Sequence, residues 1–232
     1  MESISSASFH AINLLFSGDA ELWNIIGISF SVSLRAIIFA APIAMLLAFV
    51  MAYHRFVGRR ILIYIFNTLL SVPAVVIGLT LYILLSRSGP LGNLKLLFTQ
   101  DAMIIGQIVL CLPLILIMSH TTFQASDRRI WETARTLGAS RAQAMLTVMY
   151  EIRFGLLAAL IAGFGRIIAE VGCSMMIGGN ILNHTRNIPT AIALETSKGT
   201  FSQGIALGIV LLLMAMILNL SLSILQGRGQ MV

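Results

Sequence analysis

Three charged residues sit inside long apolar runs: Arg35, Arg166 and Glu170. A lone charge in hydrocarbon costs several kcal/mol or more, so each needs a partner, a water-lined path or an escape to an interface. Arg166 and Glu170 are four apart, which on an unbroken helix places them on one face. Two chemistries fit them. They form a buried ion pair that holds a bundle, or they line a path and bias its field for an anion. Arg35 either snorkels to an interface or joins that path. Nothing else suggests covalent chemistry. Cys111 and Cys173 lie in apolar runs and read as buried free thiols. His10, His54, His120 and His184 are scattered, without metal spacing. No metal or other cofactor is expected, and with no phosphate-cradling glycine loop the chain cannot hydrolyse ATP itself.

The elements that carry these charges are apolar. Of 232 residues, 58% are hydrophobic and only 10% charged, and mean hydropathy is +0.94. A chain this short cannot bury so much apolar surface in one soluble core, which excludes a soluble enzyme and a nucleic-acid-binding tail. The sequence predicts an all-α membrane protein of one domain, with five spans at residues 24–53, 61–86, 102–122, 154–178 and 204–225. Residues 1–23 carry no Lys or Arg and read as an uncleaved extracytoplasmic tail rather than a secretory signal. Arg55, Arg59, Arg60, Arg128, Arg129, Arg135, Arg141, Arg153 and Arg228 fall on one side of the spans. Arg87, Lys95, Arg186 and Lys198 fall on the other. The richer side is expected to be cytoplasmic, with the N-terminus out and the C-terminus in. That asymmetry also accounts for the net charge of +6.

Residues 126–149 form the patterned loop on the basic side. Asp127 is suited to cap a helix, and Glu132 is read as lying near its start, where a carboxylate favours the dipole. Ile130, Ala134 and Leu137 share one face. Gly138 stops the helix, and Ala139-Ser140 begin a second one with Ala142, Met145 and Leu146 as its apolar face. The result is helix, glycine turn, helix at the membrane surface. Residues 179–203 are half apolar and are expected to dip back toward the bundle.

Glu132-Thr133-Ala134 followed by Gly138-Ala139-Ser140 resembles the EAA---G signature of ABC importer permeases, placed before the penultimate span as in that family. The resemblance implies a type I importer fold spanning residues 24–226. It also implies that Glu132, Ala134, Gly138, Ala139 and Ser140 belong to the helix that docks on a separate ATPase subunit. The family pattern closes with Leu-Pro, where this chain has Tyr150-Glu151-Ile152-Arg153, a Glu-x-Arg that resembles the tungstate branch. Arg166–Gly172 resembles the Arg-x-x-x-Glu-x-Gly stretch of molybdate, sulfate and tungstate permeases. Met176–Asn180 and Thr190–Gly199 resemble the tungstate branch in particular. The partners this implies are an ABC ATPase, an extracytoplasmic oxyanion-binding protein, a second copy of the chain and membrane lipid, in a prokaryotic inner membrane. A molybdate or sulfate permease is the alternative within the class. An ion-coupled carrier or channel is the alternative outside it, but its inverted repeats and multiple buried acids are not visible.

Overall fold

Asp19 starts the first helix by accepting the Leu22 N–H at 2.8 Å, so α1 runs Ala20–Tyr53, four residues ahead of the expected start. The computed structural model describes residues 18–229; the expected tail at residues 1–17 lies outside the described residues. The helices that follow are α2 (Arg59–Leu70), α3 (Ala74–Leu85), α4 (Gln100–Ala125), α5 (Arg128–Thr136), α6 (Arg141–Glu151), α7 (Arg153–Ile168), α8 (Gly172–Gly178), α9 (Ile188–Lys198) and α10 (Phe201–Gly229). A short 3-10 turn, Gly92–Leu94, lies between α3 and α4. There is no strand among the described residues.

Three helices are long and apolar enough to cross a membrane: α1, α4 and Phe201–Ser221 of α10. The count reaches five if α2 with α3, and α6 with α7, each make one span. Two expected spans are therefore not continuous helices. Residues 61–86 break at 71–73, because Pro73 keeps the preceding residue out of the helical region and itself sits extended, at ψ 133°, as the N-cap of α3. Residues 154–178 break after Ile168. There the Glu170 N–H bonds to Ile167 O at 3.1 Å, and a new helix starts at Gly172.

The chain divides into two compact units. The first holds the described part of Met1–Ala36 with Val72–Leu110 and Phe164–Ile217. Its apolar centre joins Leu22, Ile25, Ile26, Ile168, Ile188, Ala191, Ala206 and Leu207. Helix α9 is pinned into this centre by polar caps. Asn187 and Thr190 form a reciprocal capping box, and the Ile188 N–H donates to Ser29 Oγ at 2.7 Å. The half-apolar stretch at 179–203 thus turns inward, as its composition suggested. Elsewhere in this unit α3 lies tight on α8: a Cβ at Gly78 would stand 2.9 Å from Cys173 Cα. The second unit holds Ile37–Ser71, Cys111–Gly163 and the chain from Leu218 onward. It contains the whole of α5 and α6.

Candidate coupling surface and the charged positions

The turn from α4 into α5 is built by side chains that the backbone needs at a helix start. Ser126 Oγ donates to Phe123 O at 2.7 Å. Asp127 is extended (φ −67°, ψ 121°) and accepts the Arg129 N–H at 2.9 Å. Such a cap is worth about 1 kcal/mol. Asp127, not Glu132, supplies the carboxylate at this N-terminus. Glu132 lies beyond the first turn and is exposed, so the dipole role expected of it is not the one the structure gives it.

At the far end the Gly138 N–H bonds to Arg135 O at 3.2 Å, and the Ala139 N–H to Ala134 O at 3.0 Å. Gly138 sits at φ +88°, a left-handed conformation that costs a residue with a Cβ roughly 1–2 kcal/mol. Ser140 then caps α6. It accepts the Gln143 N–H at 3.3 Å while Gln143 Oε1 accepts the Ser140 N–H at 2.8 Å, a complete capping box. The helix–Gly–helix is thus fixed at both starts and at its turn.

What holds it to its unit is aromatic. Trp131 packs with ring centroids 5.3 Å from Phe49 and 5.4 Å from Tyr53. Phe49 stacks on Tyr53 at 4.8 Å and meets Phe123 edge-on at 5.5 Å. Tyr53 Oη also lies 3.1 Å from Ser126 Oγ. Each such ring pair contributes about 0.5–1.5 kcal/mol beyond its burial. Sequence reasoning passed over Trp131. Its signal was one large aromatic in an otherwise polar amphipathic segment.

The outward face differs from expectation. Ile130 and Ala134 are half-buried, but Leu137 on the same face is 82% exposed. Helix α6 buries Ala144 and Val148, whereas Ala142 and Leu146 of the predicted apolar face are exposed. The register is set by the turn at Gly138 and the Ser140 cap, which rotate α6 away from the face chosen by hydrophobic pattern alone. Glu132, Gly138 and Ser140 are exposed; Ala134 and Ala139 are half-buried. The structure therefore brings all five candidate coupling residues onto one short segment. Just beyond it, Arg153 donates to Tyr150 O at 2.8 Å, and its guanidinium covers the Tyr150 and Phe154 rings at 4.4 and 4.6 Å. Arg153 thereby braces the α6–α7 bend of 76°.

The three charges inside the apolar runs do not gather into an ion pair. The ion pairs among the described residues are Glu21–Arg186 at 3.2 Å and Glu195–Lys198 at 2.9 Å. Because α7 ends at Ile168, Arg166 and Glu170 no longer share one helix face, and the expected pairing is corrected on that ground. Glu170 instead turns its Oε1 to the Cys173 N–H at 3.1 Å and satisfies the start of α8. Arg35 and Arg166 are exposed on the chain's own surface.

Apolar helices long enough to span a membrane, joined by an exposed, doubly capped helix–turn–helix, describe a multi-pass membrane protein. The chain belongs to the family of binding-protein-dependent transport system inner membrane components, which its residues 40–228 match. It is accordingly a multi-pass inner-membrane permease subunit. It is 40% identical over 209 residues to the tungstate uptake system permease protein TupB of Campylobacter jejuni, covering 90% of this chain and 87% of that protein. It is 37% identical over 219 residues to TupB of Peptoclostridium acidaminophilum, covering 94% and 96%. Its fold resembles that of a chain of the MetNI methionine ABC transporter in inward-facing form, with a TM-score of 0.64 over 90% of this chain and 94% of that one at 15% identity.

Proposed function

We propose that this chain is the membrane-spanning subunit of an ABC importer that moves tungstate inward across the cytoplasmic membrane. One observation carries the reading: a doubly capped, outward-facing helix–Gly–helix, in a chain alike over nearly its whole length to two tungstate uptake permeases. The chain is non-catalytic, and ATP is hydrolysed by a separate subunit that seats the segment around Gly138. Leu137 is the anchor, since fully burying a leucine gains about 1.5–3 kcal/mol. A short rigid element turns a rigid-body motion of the ATPase into a motion of the spans. Nine of the eleven arginines outside the expected spans fall on the side of this face, which favours a cytoplasmic location for it.

Two copies of the chain form the path between them, fed by an extracytoplasmic oxyanion-binding protein. In this reading Arg35 and Arg166, exposed in the single chain, face the second copy or the path, where their charge favours an anion. The test is reconstitution of the chain with its ATPase and binding protein in liposomes, followed by uptake of labelled tungstate, molybdate and sulfate. ATP-dependent, binding-protein-dependent tungstate uptake is expected. Uptake driven by an ion gradient without ATP would sink the importer reading, and uptake of molybdate or sulfate alone would reassign the oxyanion.

A further inference from the structure

The stretch that joins α1 to α2 lies outside the helix–Gly–helix. Helix α1 ends at Tyr53, at an apolar–polar boundary, and Arg55, Arg59 and Arg60 follow at once. Together with Phe56, Gly58 and Ile61 they line a cavity of about 770 Å³. None of these arginines forms an ion pair among the described residues. Arg59 Nε is buried without a hydrogen-bond acceptor. The cavity also receives the start of α2. Gly58 is its N-cap, and no side chain caps the helix; the Arg59 N–H bonds to Phe56 O at 3.3 Å, which leaves the Arg60 and Ile61 N–H groups open at this end. Three cations, an orphaned guanidinium nitrogen and the positive end of a 12-residue helix all call for one complement, an anion with several oxygens.

A second, apolar cavity lies on α2 itself. About 310 Å³ in volume, it is lined by Ile61, Tyr64, Ile65, Thr68 and Leu69, and Ile61 belongs to both. Helix α2 has no buried residue, and Ile61, Tyr64 and Ile65 are 63%, 70% and 48% exposed. A polyanionic pocket-filler would have no use for that groove. An amphiphile with a phosphate head and an acyl tail uses both halves. We propose that the α1–α2 turn and the exposed face of α2 form a binding site for an anionic phospholipid, with its headgroup phosphate held by Arg55, Arg59 and Arg60 and one acyl chain along Ile61, Ile65 and Leu69. A second copy of this chain is the less suitable occupant, because a two-fold contact through this face would add three like charges to three.

The site is tested on the full chain co-purified with its ATPase and placed in phosphatidylcholine bilayers doped with phosphatidylglycerol. Retained lipid is counted by native mass spectrometry. Phosphatidylglycerol should be kept over phosphatidylcholine at least about tenfold, and R55Q/R59Q/R60Q should lower its retention on the order of a hundredfold. Arg55 and Arg60 are exposed and Arg59 half-buried; R55K/R59K/R60K keeps their charge and should keep most of the retention. I65Q/L69Q should weaken lipid retention while leaving the protein dimeric or monomeric as before. Four results would each overturn the site: equal retention of the two lipids, a glutamine triple variant that still prefers phosphatidylglycerol, displacement of lipid by inorganic phosphate at equal concentration, or groove variants that change only the oligomeric state.

Discussion

Glu195 shows how one residue can carry a pH dependence. Its side chain is 7% exposed. Burial alone would raise its pKa above the ordinary 4.5. Hydrogen bonds from the Thr200 hydroxyl and Lys198 Nζ, with the charges of Lys198 and Arg186, outweigh burial and hold it below that value. The folded chain therefore binds this proton more weakly than the unfolded chain. The stabilisation is fully present above the ordinary value and is lost as pH falls through it toward the lower folded pKa. Thermal unfolding followed from about pH 7 to about pH 3 should show this loss, and Glu195→Gln should flatten that limb of the curve. A glutamine variant with an unchanged limb would assign the dependence to another group. Arg166 and Glu170 give the second residue-scale expectation. Since Glu170 serves the Cys173 N–H rather than Arg166, Arg166→Ala and Glu170→Ala should cost stability additively, within about 0.5 kcal/mol. A double variant more stable than the sum predicts would restore the ion pair.

At the scale of elements, α5 and α6 divide their work between an inner and an outer face. Trp131 fixes the pair to Phe49, Tyr53 and Phe123, whereas Leu137 faces out. Truncating Trp131 should therefore loosen the segment itself. Trp131→Ala is expected to cost about 3–5 kcal/mol at most, less for a ring only half-buried, and to raise amide hydrogen exchange across residues 128–140. Leu137→Asp should leave exchange as it was and abolish co-purification of the ATPase. If both variants behaved alike, the two faces would not be separable. The caps of this element were legible in the sequence because they are local. Asp127, Gly138 and Ser140 act on backbone groups within three or four residues, and each does what its type implied. The buried face of α6 was not legible, because Ala142, Met145 and Leu146 are as apolar as Ala144 and Val148, and only the rotation set at the turn chooses between them. The breaks at 71–73 and 169–171 escaped for a related reason. Hydropathy measures length and apolarity, and neither changes where a span stops being a helix. Pro73 was a visible warning; Glu170 as a cap inside an apolar run was not, since a charge there reads first as a partner for Arg166.

For the molecule as a whole the open question is where one oxyanion is told from another. Tungstate and molybdate carry equal charge and nearly equal size, so separating them needs many fixed donors around a desolvated anion. Within the apolar runs this chain offers two exposed arginines, Arg35 and Arg166. A carrier that must release its cargo also cannot bind it tightly, because entry has to be balanced by exit. A separate binding protein is under no such constraint. This subunit is therefore expected to pass whichever tetrahedral oxyanion is delivered to it. The measurement exchanges the binding protein for a molybdate-specific one that still docks, as judged by stimulated ATPase activity in the same liposomes. Molybdate should then enter at a rate within about tenfold of tungstate delivered by the original partner, a difference of about 1.4 kcal/mol in barrier. If ATPase is stimulated and molybdate still stays outside, a selective site lies within the spans. In that case Arg35→Gln and Arg166→Gln should each relax the exclusion.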